Sequence, residues 1–102
     1  MTDIAELMQR RMALVEKVAA LNSKQLLNAQ TRSGIEVELL TCIEQIERDG
    51  ESGGALAQRA ELEARYKAAA EACEDGEREL DRMAEELSIL DQQMEQQAGP
   101  AS

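Results

Sequence analysis

Asp49-Gly50-Glu51-Ser52-Gly53-Gly54 is the stretch that decides the fold of this 102-residue chain. Three glycines within five residues end a helix and permit a tight reversal of the chain. About 46 residues with a single glycine and no proline precede this stretch, and about 43 residues of the same character follow it. The sequence therefore predicts two helices of nearly equal length, about residues 3–49 and 55–97, joined by a turn at 50–54.

Both arms carry mostly apolar residues at spacings that alternate between three and four, which is the heptad pattern of coiled coils. The seam of the first arm is Ile4, Leu7, Arg11, Leu14, Val18, Leu21, Gln25, Asn28, Arg32, Ile35, Leu39, Cys42 and Ile46. The seam of the second arm is Leu62, Tyr66, Ala69, Cys73, Gly76, Leu80, Met83, Leu87, Leu90 and Met94. Neither arm shows the alternation of period two that is typical of strands. The pattern predicts an all-α fold, a long antiparallel, coiled-coil-like helical hairpin.

The hairpin is expected to form a single domain over residues 1–98, with residues 99–102 as a disordered tail. One alternative stays open within the first arm. Ser33 followed by Glu36 resembles a capping box, which would start a new helix beside Gly34 and divide the arm into two helices. The heptad phase runs through this point unchanged, and that favours one continuous helix.

The distribution of charge provides an independent reason for antiparallel pairing. The chain has a formal net charge of −10. Residues 8–32 hold five Arg or Lys against one Glu, whereas residues 71–95 hold ten Asp or Glu against two Arg. A reversal near Ser52 lays these two segments side by side. Each exposed ion pair contributes well under 1 kcal/mol, but their sum favours this pairing over one that stacks the acidic segments.

Several classes of function are disfavoured by the composition. The chain has no histidine, so it lacks the commonest general base, and two cysteines 31 positions apart do not form a zinc site alone. The glycine-rich stretch lacks the ligand spacing of an EF-hand and the Gly-Lys-Ser/Thr of a phosphate-binding loop. We therefore expect a protein that is not an enzyme, with no cofactor, no metal and no small-molecule substrate.

The acidic balance also bears on partners and location. Contacts with phosphates need clustered Lys and Arg, so direct binding to nucleic acid or to an anionic membrane is not expected. No apolar run approaches the roughly 20 residues of a membrane span, and residues 1–4 lack the features of a signal peptide. A cytoplasmic location is expected, where thiols stay reduced. Cys42 and Cys73 are far apart along an antiparallel hairpin, so we expect buried thiols that do not pair within a chain.

The first arm carries more apolar surface than one partner helix covers, because a second stripe runs beside its seam. An uncovered apolar stripe marks an interface. The residues predicted to form this protein interface are Met8, Met12, Val15, Leu26, Leu40 and Ile43. The occupant is either a second copy, giving a homodimeric four-helix bundle or a higher bundle, or the helices of another protein.

In size and shape the predicted hairpin resembles the small helical-hairpin chaperones and stalk proteins of bacterial type III and flagellar export. This resemblance implies an adaptor, an assembly factor or a small export-type chaperone, working through the apolar face of the first helix. The alternative hypothesis is a small acidic inhibitor or nucleic-acid mimic that works through the second helix. Its acidic surface would consist of Glu74, Glu77, Asp81 and Glu85.

Overall fold

The computed structural model describes residues 3–99, and within that range the chain forms two α-helices and no strand. Helix α1 spans Ile4–Asp49 and helix α2 spans Gly53–Gln97. The predicted all-α hairpin of two long helices is therefore confirmed. Helix α1 passes through Ser33 and Gly34 without a break, so the continuous helix is correct and the capping box is not used.

The turn is shorter than predicted, because α2 begins at Gly53 rather than near residue 55. The hydroxyl of Ser52 accepts a hydrogen bond from the amide of Ala55 at 3.1 Å, which makes Ser52 the N-cap of α2. Gly50 ends α1 with a φ of 85°, a backbone conformation that favours glycine, and its amide donates to the carbonyl of Ile46. Because Ser52 caps the helix, Gly53 and Gly54 belong to α2.

The outer ends of the helices have caps of the same kinds. The carboxylate of Asp3 accepts a hydrogen bond from the amide of Ala5 at the start of α1. At the end of α2, Gly99 has a φ of 85° and its amide donates to the carbonyl of Gln96. Most of the predicted disordered tail, residues 100–102, lies outside the described residues.

The chain divides into two compact units, each built from a segment of both helices. Of the described residues, unit 1 contains 3–24 and 76–99, and unit 2 contains 25–75, including the turn. The expectation of a single domain stays a prediction.

The core of unit 1 is aliphatic. Leu7, Leu14 and Leu90 are buried, and Leu7 is only 1% exposed. Three partly buried residues of α2 pack against them: Met83, Leu87 and Met94. All of these residues belong to the predicted seam, so the heptad pattern located the core of this unit.

The core of unit 2 is more varied. Ile35, Cys42, Ile46 and Leu62 are buried together. The partly buried residues around them are Leu39, Ala55, Tyr66 and Ala69. Ala55 lies outside the predicted seam but continues its spacing towards the turn. The seam prediction therefore holds in this unit as well.

Candidate protein-binding surface

Besides Ile4 at the first position of α1, three large apolar side chains of α1 are exposed in unit 1, at positions that α2 does not cover. Met8 is 50% exposed and Met12 65%, and Val15 is exposed as well. Their spacing of four and then three residues places them on one face of α1, beside the seam. We call these three residues the α1 lane. A single seam cannot cover both stripes, which is why half of this apolar surface meets solvent.

Unit 2 has its own exposed apolar residues on α1. Leu26 is 61% exposed and Leu40 54%, as the prediction of an uncovered stripe requires. Ile43, the sixth predicted interface residue, is half-buried and so less exposed than Leu26 and Leu40. Leu27 and Val37 are also exposed but stand outside the six predicted residues. Val37 roughly continues the stripe, whereas Leu27 lies at another helical position, so counting along the stripe does not find it.

A groove runs along one flank of unit 1, between the two helices. Arg10 and Lys17 of α1 line it together with Glu86 of α2, and Glu79 and Lys17 line its continuation. The apolar lining comes from Ala13, Leu14, Met83, Ile89 and Leu90. Cations of α1 and carboxylates of α2 thus line the same flank, and Arg82 of α2 lines it as well. We call it the groove flank.

One ion pair joins the two helices directly in unit 1. Arg11 Nε donates to Asp91 Oδ1 at 2.6 Å, and both side chains are about half exposed. Arg11 stands at a seam position and is half-buried, and its guanidinium reaches Asp91 at the edge of the seam. An exposed pair of this kind contributes little energy but discriminates between alignments of the two helices.

The predicted acidic residues are exposed and are divided between the units. Glu74 lies in unit 2, and Glu77, Asp81 and Glu85 lie in unit 1. Nothing brings them together as a metal-binding cluster: within residues 3–99 no group of three or more Asp, Glu or Cys is arranged to hold an ion. In the same range, neither helix has a stretch long and apolar enough to cross a membrane.

Polar residues occupy part of the seam in unit 2. Gln25 Nε2 donates to the carbonyl oxygen of Cys73 at 2.9 Å, and Gln25 Oε1 accepts from Asn28 Nδ2 at 3.1 Å. Gln25 therefore links α1 to the backbone of α2. A half-buried amide that loses such a partner is left unsatisfied, so this contact selects one alignment of the helices.

The two thiols are buried and far apart, and neither forms a disulfide. Cys42 packs with Leu62, and its Sγ lies 3.7 Å from the carbonyl oxygen of Ala55. Cys73 lies eleven residues beyond Leu62 along α2, about 16 Å at helical rise. This distance along the helix agrees with the offset that the antiparallel hairpin predicts.

Comparisons with known proteins assign no class to this surface. No protein-family model matches the chain, and neither a curated protein nor a solved structure is significantly similar to it.

Proposed function

We propose that the protein is a non-enzymatic helical interaction module that binds another helix through the exposed apolar face of α1. The observation that carries this proposal is the exposure of Met8, Met12, Leu26 and Leu40 on a helix whose seam is already filled. Exposed apolar residues aligned on one helix face are typical of a surface that a partner covers. An adaptor, an assembly factor or a small chaperone works in this way.

The partner in this proposal is a second copy or a helix of another protein. Two hairpins that meet through their α1 helices would form a four-helix bundle, in which each copy covers the other's exposed stripe. At about 25 cal/mol per Å², burying these side chains contributes several kcal/mol before the costs of association. The proposal places the protein in the cytoplasm, where buried thiols such as Cys42 and Cys73 stay reduced.

The competing hypothesis, a nucleic-acid mimic acting through α2, has less support from the charges. Arg10 and Lys17 line the same groove as Glu79 and Glu86, so part of the acidic field of α2 is neutralised within the molecule. The salt dependence of binding distinguishes the two hypotheses. A mimic releases a basic partner at a few hundred millimolar salt, because its contacts are screened, whereas an apolar helix interface persists.

The test is the double substitution Val15→Glu with Leu26→Glu, which places one charge on the apolar face in each unit. We expect dissociation to monomers in sedimentation velocity, or loss of the partner in a pull-down, because a buried unpaired carboxylate opposes association. The matched control is Gln9→Glu with Gln30→Glu, which adds the same charge at exposed positions of α1 off the stripe.

The control variant should keep both the wild-type mass and the wild-type partners. Circular dichroism must show that both variants remain helical. If Val15→Glu with Leu26→Glu also keeps mass and partners, the apolar face of α1 is not the interface and the proposal is wrong.

A further inference from the structure

The two flanks of unit 1 carry different combinations of charge. On the groove flank, Arg10 and Lys17 stand opposite Glu79 and Glu86, so carboxylates and cations of the same molecule face each other. Two residues along an α-helix turn through about 200°, which moves a side chain to the other side of the helix. Val15 therefore lies on the flank opposite Lys17, and Glu77 on the flank opposite Glu79.

This second flank combines apolar residues from α1 with carboxylates from α2. Between residues 4 and 24, the α1 positions on this flank hold no charged residue, and the only α1 charge seen to reach it is the guanidinium of Arg11, which extends from the seam to Asp91. These α1 positions are Ala5, Met8, Met12, Val15, Ala19 and Asn22. The α2 positions on the same flank hold four carboxylates and no cation: Glu77, Asp81, Asp91 and Glu95, with Ala84 and Ser88 between them. We call these four residues the carboxylate lane.

The hydrogen bond from Arg11 to Asp91 aligns the two lanes along the helices. Because the helices are antiparallel, Asp91 and Glu95 stand beside the part of α1 that carries Met8 and Met12. Asp81 lies ten residues before Asp91 in α2, about 15 Å along the helix, and so beyond the Val15 end of the α1 lane. Carboxylates thus flank both ends of the apolar strip formed by Met8, Met12 and Val15, and Asp91 beside it is paired with Arg11.

We propose that this flank of unit 1 binds a cationic amphipathic helix of another protein. The inference rests on the proposed function and specifies its partner. A helix laid along Met8, Met12 and Val15 would bury its apolar side against them, and lysines or arginines at its edge would meet the carboxylate lane. Methionine suits such a surface, because its unbranched side chain adapts to differently shaped apolar residues.

Charge complementarity selects this occupant over a second copy of the chain. The protein has a formal net charge of −10, and a second copy would bring its own carboxylate lane to a flank that already carries one. Like charges across an interface oppose binding. A foreign helix with cations along one edge removes that repulsion and replaces it with attraction.

The test uses a fluorescent synthetic peptide of about three heptads, with leucine at the seam positions and lysine elsewhere. Fluorescence anisotropy measures its binding to the full chain at about 0.15 M sodium chloride, a salt concentration that screens distant charges. Two further peptides serve as probes of specificity. One carries glutamate in place of lysine, and the other has the same composition with the leucines spread evenly around the helix. We expect only the amphipathic lysine peptide to bind.

Two charge-matched variants locate the binding site. Glu77→Gln with Asp81→Asn removes two charges from the carboxylate lane, and we expect about fivefold weaker binding from the loss of two exposed pairs. Glu79→Gln with Glu86→Gln removes two charges from the groove flank, and we expect less than a twofold change. Met12→Glu with Val15→Glu should abolish binding, whereas Gln9→Glu with Ala20→Glu should weaken it only slightly.

Equal weakening by both carboxylate variants, equal binding of the evenly spread peptide, or no binding of any peptide would each overturn this inference. The proposed function fails separately, through the mass and partners of Val15→Glu with Leu26→Glu. If that variant loses self-association or a partner while the lysine peptide does not bind, the interaction module stands and its partner is not a cationic helix. Self-association of the wild-type protein through Met12 and Val15 would contradict the proposal of a cationic helix but not the proposed function.

Discussion

Unit 1 and unit 2 are built from the same two helices, but they hold those helices together in different ways. Unit 1 has an aliphatic core and a short ion pair between Arg11 of α1 and Asp91 of α2. Unit 2 adds a thiol and a tyrosine to its core and has an amide, Gln25, bonded across the seam. Its ion pair between the helices has the opposite polarity, with Glu38 on α1 and Arg65 on α2 at 3.7 Å.

Weak contacts select the alignment of the helices within each unit. In unit 1, a shift of one helix against the other would separate Arg11 from Asp91. In unit 2, a shift would separate Glu38 from Arg65 and leave Gln25 without the carbonyl of Cys73. None of these contacts is strong alone, but a wrong alignment of unit 2 loses both of its contacts.

The largest expected effect comes from truncating the core of either unit. Leu14→Ala in unit 1 and Leu62→Ala in unit 2 should each lower the free energy of unfolding by about 2–4 kcal/mol, since a buried leucine leaves a cavity. Urea denaturation followed by circular dichroism measures this loss. Leu27→Ala, at an exposed position, is the control and should stay within about 0.5 kcal/mol of wild type.

Hydrogen exchange sharpens the comparison between the units. Leu14→Ala should speed amide exchange mainly in residues 3–24 and 76–99, and Leu62→Ala mainly in residues 25–75, because each substitution removes contacts within one unit. Equal acceleration over the whole chain in both variants would show that the units do not open separately.

Substitution by alanine at two glycines of unit 2, Gly34 and Gly50, should change the free energy of unfolding in opposite directions. Gly34 lies inside α1, and beyond the backbone of that helix no atom stands within 4 Å of the point that a Cβ would occupy. Gly34→Ala should therefore raise the free energy of unfolding by about 1 kcal/mol. Gly50 has a φ of 85°, and Gly50→Ala should lower it by about 1 kcal/mol or more. Thermal unfolding of both variants measures the difference, and a shift of the same sign in both would contradict these backbone assignments.

The amide of Gln25 should matter less than the core. Gln25→Ala removes the hydrogen bonds to Cys73 and Asn28, and we expect a loss of about 1 kcal/mol in the free energy of unfolding. Gln30→Ala, at an exposed position of the same helix, is the control. If the two variants are equally stable, Gln25 does not select the alignment of unit 2.

The ion pairs should have the smallest effect. Asp91→Asn should lower the free energy of unfolding by about 0.5 kcal/mol at low salt and by almost nothing at about 1 M sodium chloride, because the pair is exposed and screened. Glu38→Gln should cost less, since its 3.7 Å contact with Arg65 is longer. A loss for Asp91→Asn that is unchanged by salt would mean that the carboxylate has another role.

Most of the fold follows from periodicity in the sequence. The alternation of three and four located the buried and half-buried residues of both units, including seam positions with polar side chains such as Gln25 and Arg32. Charge patterning anticipated that cations of α1 face carboxylates of α2 in unit 1. Both signals are repeated many times along the chain, so single exceptions do not obscure them.

Features that depend on one atom or on both helices together could not be predicted. The start of α2 at Gly53 depends on one hydrogen bond of Ser52, which a run of glycines conceals. Ile43 is half-buried whereas Leu40, three residues earlier, stays exposed, and spacing along one helix does not distinguish the two. The two different flanks of unit 1 appear only once the helices are aligned, because each lane comes from a different helix.

Site-specific crosslinking shows whether the α1 lane is an interaction surface. A photoreactive phenylalanine derivative replaces Met12 in one variant and Gln9, at an exposed position off the lane, in the other. We expect irradiation in cells to crosslink the Met12 variant to a helical segment, identified by mass spectrometry, and to leave the Gln9 variant uncrosslinked. Crosslinks from Gln9 alone, or equal crosslinks from both positions, would contradict this expectation.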